Sequence, residues 1–127
     1  MSSAVLDAST LLAFVNGEPC ADRVAAPVPG AAISTVTLSE VVAKLSERGA
    51  SDTEIRETLD EIGLDAVPFD GALAFEAGFL RPGTRQAGLS LGDRVCLALA
   101  RHLDLPALTT DRAWSSLQLG ISVEVIR

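Results

Sequence analysis

The stretch Val5-Leu6-Asp7-Ala8-Ser9-Thr10-Leu11-Leu12-Ala13-Phe14 decides the fold. Ala4, Val5 and Leu6 make a short apolar run, read as a buried strand that ends at Asp7. Leu11, Leu12 and Val15 then recur at helical spacing until Asn16-Gly17 stops them. A strand that hands over to a helix with no hairpin turn between them is a β-α unit, and the rest of the chain repeats the alternation. A second helix is expected over Cys20–Ala26, before Pro27, Pro29 and Gly30 impose a loop, and Ala31–Ile33 is the next strand.

Downstream, Leu38, Val41, Val42 and Leu45 mark a helix over Val36–Arg48 ended by Gly49. Ser51 opens another, closed by Gly63, and the two are expected to pack as a hairpin. Asp65–Val67 is a weak strand bounded by Pro68. Asp70 opens a helix that Pro82-Gly83 terminates, and RPGTRQAG (81–88) reads as a surface loop. Ser90 starts the most regular helix, with Leu91, Val95, Leu99 and Leu103 on its core side. Pro106–Thr109 is a strand, a short helix follows from Asp111, and Ser122–Ile126 supplies an alternating edge strand. Strands separated by helices imply an α/β fold with a mainly parallel sheet covered on both faces.

Composition narrows the function. With 127 residues the chain is expected to form one domain, 1–127, and 48% hydrophobic against 21% charged residues is ordinary globular content. Ten Lys+Arg against seventeen Asp+Glu give a net charge of −7, which excludes a broad basic face for gripping nucleic acid. One histidine, His102, rules out RNA cleavage by an imidazole pair, and 4% aromatics leave little for base stacking. Cys20 and Cys96 lack a paired spacing and read as reduced thiols of a cytoplasmic protein. No apolar run is long enough for a bilayer and no export signal is visible, so no membrane partner is expected.

In open parallel sheets, ligands bind beyond the carboxyl ends of the strands. That rule selects four acids: Asp7 after the first strand, Glu40 in the helix after the second, Asp93 in the first turn of the helix opened by Ser90, and Asp111 after PALTT. Each also has a capping explanation, since Thr37-x-x-Glu40 and Ser90-x-x-Asp93 match capping boxes and Asp7 and Asp111 suit N-caps. Their convergence at one sheet edge shifts the reading, because crowded carboxylates repel one another unless a cation compensates. Oxygen donors without a His or Cys set point to Mg²⁺, with Mn²⁺ as a substitute, and such an ion suits phosphodiester hydrolysis by water. One ion or two are both compatible with the sequence.

Taken together, VLDASTLLAF, STVTLSEVVAKL, LSLGDRVCLALA and TTDRAW resemble the PIN-domain ribonucleases, and within them the VapC-type toxins of type II toxin-antitoxin pairs. The resemblance implies a three-layer α/β/α sandwich and a Mg²⁺-dependent endoribonuclease. It makes Asp7, Glu40, Asp93 and Asp111 the catalytic and metal-binding quartet, with Asp111 the more peripheral. It also implies a cognate antitoxin, an RNA substrate and a homodimer. Ser9 and Thr110 match hydroxyl residues beside the quartet.

Other residues weigh less. Arg94 and Arg112 follow quartet acids and either hold a phosphate or pair with a neighbour; Arg81 and Arg85 are a candidate basic lip. Trp114 reads as packing, and His102 as a partner of its helix dipole. Three alternatives stand beside the nuclease. The first is a catalytically weak PIN-like module that binds RNA or protein. The second is an aspartate-nucleophile phosphatase, against which Ser9 occupies the position where a second Asp is wanted. The third is a receiver domain, disfavoured because the only lysine, Lys44, lies inside a helix rather than at a strand end.

Overall fold

The computed structural model describes residues 2–127. Five short strands, β1 (Val5–Leu6), β2 (Ala32–Ser34), β3 (Asp65–Val67), β4 (Ala107–Thr109) and β5 (Val123–Val125), form one sheet in the order β3-β2-β1-β4-β5, every pairing parallel. Six helices cover it: α1 (Ala8–Val15), α2 (Thr35–Glu47), α3 (Asp52–Ile62), α4 (Gly71–Phe79), α5 (Arg81–Thr84) and α6 (Leu91–Leu103), with 3₁₀ turns at Pro19–Val24 and Arg112–Ser116. This is the expected α/β/α sandwich, and the sheet is parallel throughout.

The pleat divides the core. Val5, Ala32 and Ala107 face one way, onto α4, α6 and Trp114, while their neighbours Leu6, Ile33 and Leu108 face the other, onto α1, α2 and α3. Both faces are dry, which is why the strands read as unbroken apolar runs. Trp114 is buried, as packing demands, and Cys96 is buried within α6. The α2–α3 hairpin forms as expected. Ser51 caps α3 with a full capping box, and Gly63 ends it in the left-handed conformation that a C-cap needs.

Four local expectations change. The segment expected as a helix over Cys20–Ala26 is a 3₁₀ turn that starts one residue earlier, at Pro19. RPGTRQAG is not wholly loop: Arg81–Thr84 makes one helical turn. Pro82 tolerates a first turn, where its missing N–H is no loss, and the buried Thr84 hydroxyl donates to the Leu80 carbonyl at 2.9 Å. Leu91, expected in the core, is 55% exposed, because the apolar stripe of α6 settles on Val95 and Leu99 and leaves its first turn over the sheet edge. Finally, α2 starts earlier than Thr37. Ser34 is its N-cap, its side chain accepting from Val36 N, so Glu40 is not the acid of a capping box.

Candidate active site

The strand order reverses direction between β1 and β4, and at such a switch point the loops leaving the two strands diverge and open a crevice. Asp7 leaves β1 and Asp111 leaves β4 on this edge. Glu40, from α2, and Asp93, from the first turn of α6, reach the same place: all four line one cavity of about 230 Å³ together with Ser9, Gly92 and Lys44. A larger cavity of about 420 Å³ between α2 and α3 has an apolar floor of Leu38, Val42, Ile55 and Leu59, with Ser46, Asp52, Arg56 and Asp60 also lining it, and holds none of the four acids.

Asp7 is the most constrained member. It is buried, and it caps α1 by accepting from Thr10 N at 2.8 Å on Oδ1. Ser9 Oγ shares its proton between the two carboxylate oxygens at 2.8 Å each, and Thr109 Oγ1 donates to Oδ2 at 2.5 Å. Both hydroxyls are themselves held. Thr110 N donates to Ser9 Oγ at 3.1 Å, and Asp111 N donates to Thr109 Oγ1 at 3.0 Å. The end of β4 therefore grips the carboxylate at the end of β1. Burial nonetheless wins over these bonds and raises the Asp7 pKa above its ordinary value.

Asp93 spends one oxygen on structure: Oδ2 accepts from Ser90 N at 2.9 Å, while Ser90 Oγ accepts from Asp93 N at 3.3 Å. Asp111 does likewise, with Oδ1 accepting from Ala113 N at 2.9 Å to start the 3₁₀ turn. Capping and site membership coexist in both. Glu40 differs, since among the described residues its carboxylate has neither a hydrogen bond nor an ion pair. Although Glu40 is exposed as a residue, its pKa is raised, first by partial desolvation of its carboxylate, then by Asp93 and, more weakly, Asp7, with Lys44 opposing. The same three acids, behind burial as the main cause, push the Cys96 thiol well above its usual range.

Among the described residues, no three His, Cys, Asp or Glu side chains stand close enough to hold a metal ion between them alone. The acids line an open cleft rather than a closed cage. The donor set suits magnesium, which takes one or two carboxylates directly and keeps several waters; zinc would want His or Cys ligands. The oxygens of Asp93 and Asp111 not used in capping, together with Glu40 and the remaining acceptor capacity of the Asp7 carboxylate, are the ones offered to such an ion and its waters.

The structure brings all four sequence-predicted acids together and places Ser9 with them. Thr110 takes part through its backbone. Three further residues escaped the sequence reading. Thr109 was hidden in a strand, although the Leu6↔Leu108 register places it beside Asp7. Lys44 stands one helical turn after Glu40, an i,i+4 spacing visible in the sequence. Gly92 carried no signal at all.

A PIN domain model matches residues 4–118. The chain belongs to the PIN domain family. The fold is shared with VapBC-5 of Mycobacterium tuberculosis, a member of the VapBC family of toxin-antitoxin systems: 28% identity, 98% of each chain covered and a TM-score of 0.62. It is shared as well with VapC20 of M. tuberculosis, described as a sarcin-ricin loop cleaving toxin, at 17% identity, 94% of this chain and 99% of that one, with a TM-score of 0.71. A curated relative, polyketide synthase ThaG of Burkholderia thailandensis, is 37% identical over 98 residues. That match takes in 76% of this PIN domain chain but 2% of the synthase's length.

Proposed function

We propose that this PIN domain chain is a divalent-metal-dependent endoribonuclease, the toxin of a VapC-type pair, which hydrolyses RNA phosphodiester bonds with water in the cytoplasm. One observation carries the reading. Four carboxylates from four separate segments line a single cavity at the sheet's switch point, and one of them, Glu40, has no structural partner. A chain that needed these acids only as caps would have no use for Glu40 there.

Asp93 and Asp7 would hold the metal, with Glu40 and Asp111 reaching it through its bound waters. When bound there, such an ion would neutralise phosphate charge and lower the pKa of a bound water. Ser9 and Thr109 fix the Asp7 carboxylate so that its orientation survives the approach of substrate. Glu40, whose affinity for a proton is raised by partial desolvation and by Asp93, takes the proton from the attacking water. The water oxygen bonds to phosphorus as the bond to the 3′ oxygen breaks, and the departing 3′ oxygen takes a proton from solvent, giving 5′-phosphate and 3′-hydroxyl ends.

The partner that fits is an antitoxin presenting an Arg or Lys to the acidic cavity, and a cation there would compete directly with the metal. VapBC-5 is a member of the VapBC family of toxin-antitoxin systems, and VapC20 is described as a sarcin-ricin loop cleaving toxin. A homodimer belongs to the same reading by analogy. The test is to incubate RNA with purified protein across a Mg²⁺ titration and to map the new ends. Metal-dependent cleavage with 5′-phosphates, abolished in Asp7→Asn and Asp93→Asn, is expected. RNA binding without cleavage would establish a binding module instead, and 5′-hydroxyl ends would overturn the mechanism.

A further inference from the structure

Gly92 lies between Leu91 and Asp93 in the first turn of α6, and its backbone does not require glycine, for it is not among the residues of positive φ. Glycine in a helix costs backbone entropy that alanine would not, so the position calls for another reason. The reason stands across the cavity. A Cβ on Gly92 would lie 2.8 Å from Cδ and 2.9 Å from Oε2 of Glu40, and nearer still to Oε1, closer than real Cβ atoms approach other groups. The Glu40 carboxylate therefore rests directly on the bare backbone of α6.

We infer that Gly92 is a positioning residue for Glu40. The missing side chain opens the seat in which a carboxylate from α2 reaches the turn that carries Asp93. The inference rests on the metal-site reading above and adds a residue that touches neither metal nor substrate. The obstructed atoms are the far end of a long, exposed side chain. Gly92→Ala accordingly leaves the fold intact and moves the Glu40 carboxylate out of its seat. Fold and site thus respond in opposite directions, which a general packing role for Gly92 would not produce.

The experiment compares wild type, Gly92→Ala, Glu40→Asp and the double variant Gly92→Ala/Glu40→Asp, with Mn²⁺ binding by calorimetry and thermal unfolding of the metal-free proteins. Gly92→Ala should bind Mn²⁺ about 10-fold more weakly, the scale of a lost positioning contact, with a melting temperature no lower than wild type. The shorter Glu40→Asp side chain already withdraws from the seat, so adding Gly92→Ala to it should cost less than about 2-fold more, a strong departure from additivity. Wild-type Mn²⁺ affinity in Gly92→Ala, or losses that simply multiply in the double variant, would overturn the inference. A loss of stability in Gly92→Ala that persists in the Glu40→Asp background would also overturn it, because the obstruction would then lie elsewhere. If wild type itself bound no Mn²⁺, the metal-site reading would fall and this inference with it.

Discussion

Thr109 Oγ1 donates a 2.5 Å hydrogen bond to Asp7 Oδ2 across the β1–β4 switch point, joining the ends of two parallel strands through one carboxylate. The donor is buried, and its own oxygen accepts from Asp111 N, so its proton has one place to go. Replacing the hydroxyl by a methyl of the same size removes a charge-assisted bond worth about 1.5–3 kcal/mol and leaves Asp111 N without its acceptor. Thr109→Val should lower metal affinity and cleavage rate by about 10–100-fold, whereas Thr109→Ser, which keeps the hydroxyl, should stay within a few-fold of wild type. Equal losses in the two variants, measured as kcat and as Mn²⁺ affinity, would mean that packing rather than the bond matters at this position.

That bond also marks where the sequence stops being informative. Asp7, its strand and the helix it caps are legible because all three are written within ten consecutive residues. Asp111 is legible by the same strand-end rule, and Glu40 and Asp93 by their place in the opening turns of helices that start near that edge. Thr109 is not, because its partner depends on the register of two strands a hundred residues apart. Glu40 resembled a capping residue because Thr37 precedes it by three, and only the true helix start at Ser34 frees it. Leu91 fits the apolar period of α6 yet lies 55% exposed, since periodicity describes a stripe and not where a neighbouring layer ends. Lys44 and Gly92 acquire meaning only through a cavity that four separate segments enclose.

The raised carboxyls of Asp7 and Glu40 give stability a definite dependence on pH. Between the ordinary carboxyl range and the higher folded value, the folded chain holds more protons than the unfolded one, so stability falls as pH rises through that window and stays reduced above it. Asp7→Asn removes the buried charge and retains a residue suited to an N-cap. In metal-free protein, Asp7→Asn should therefore gain melting temperature relative to wild type as pH is raised from 4 to 8, while cleavage drops by about 100-fold or more. Mg²⁺ should raise the melting temperature of wild type and leave that of the variant nearly unchanged. A wild-type advantage that grows toward pH 8 without metal would contradict the sign.

Cys96 gives an independent check on the packing of α6. Its thiol is buried in α6, and burial, Asp7, Asp93 and Glu40 together raise its pKa, so the reactive thiolate is suppressed. Cys20, within the first 3₁₀ turn, is only partly buried. Under native conditions at pH 8 a thiol reagent should modify Cys20 alone, and Cys96 should react only on unfolding. Mass spectrometry of the native digest that found Cys96 modified as fast as Cys20 would show that α6 does not sit as described.

Lys44 is the one cation lining the acid cavity, and among the described residues it makes no ion pair although Glu40 is one turn away. Its charge opposes the effect of Asp93 and Asp7 on Glu40, so it stabilises the cluster's ionised state without being bound to any one member. On the proposed function, an ammonium so placed would act on metal and substrate in opposite senses, repelling a divalent cation and attracting an RNA phosphate. Lys44→Ala should tighten Mn²⁺ binding by about 1.5- to 5-fold, the range of an exposed charge interaction, and should raise KM for RNA with little change in kcat. The slope of log binding against log salt should also shrink by about 0.7, the value of one phosphate contact to a single strand. A purely structural lysine would move metal affinity and RNA affinity together or neither. Opposite movements, with the salt slope reduced, are the signature of a side chain that faces the phosphate; a Lys44→Ala protein with weaker Mn²⁺ binding and an unchanged salt slope would remove Lys44 from the substrate path.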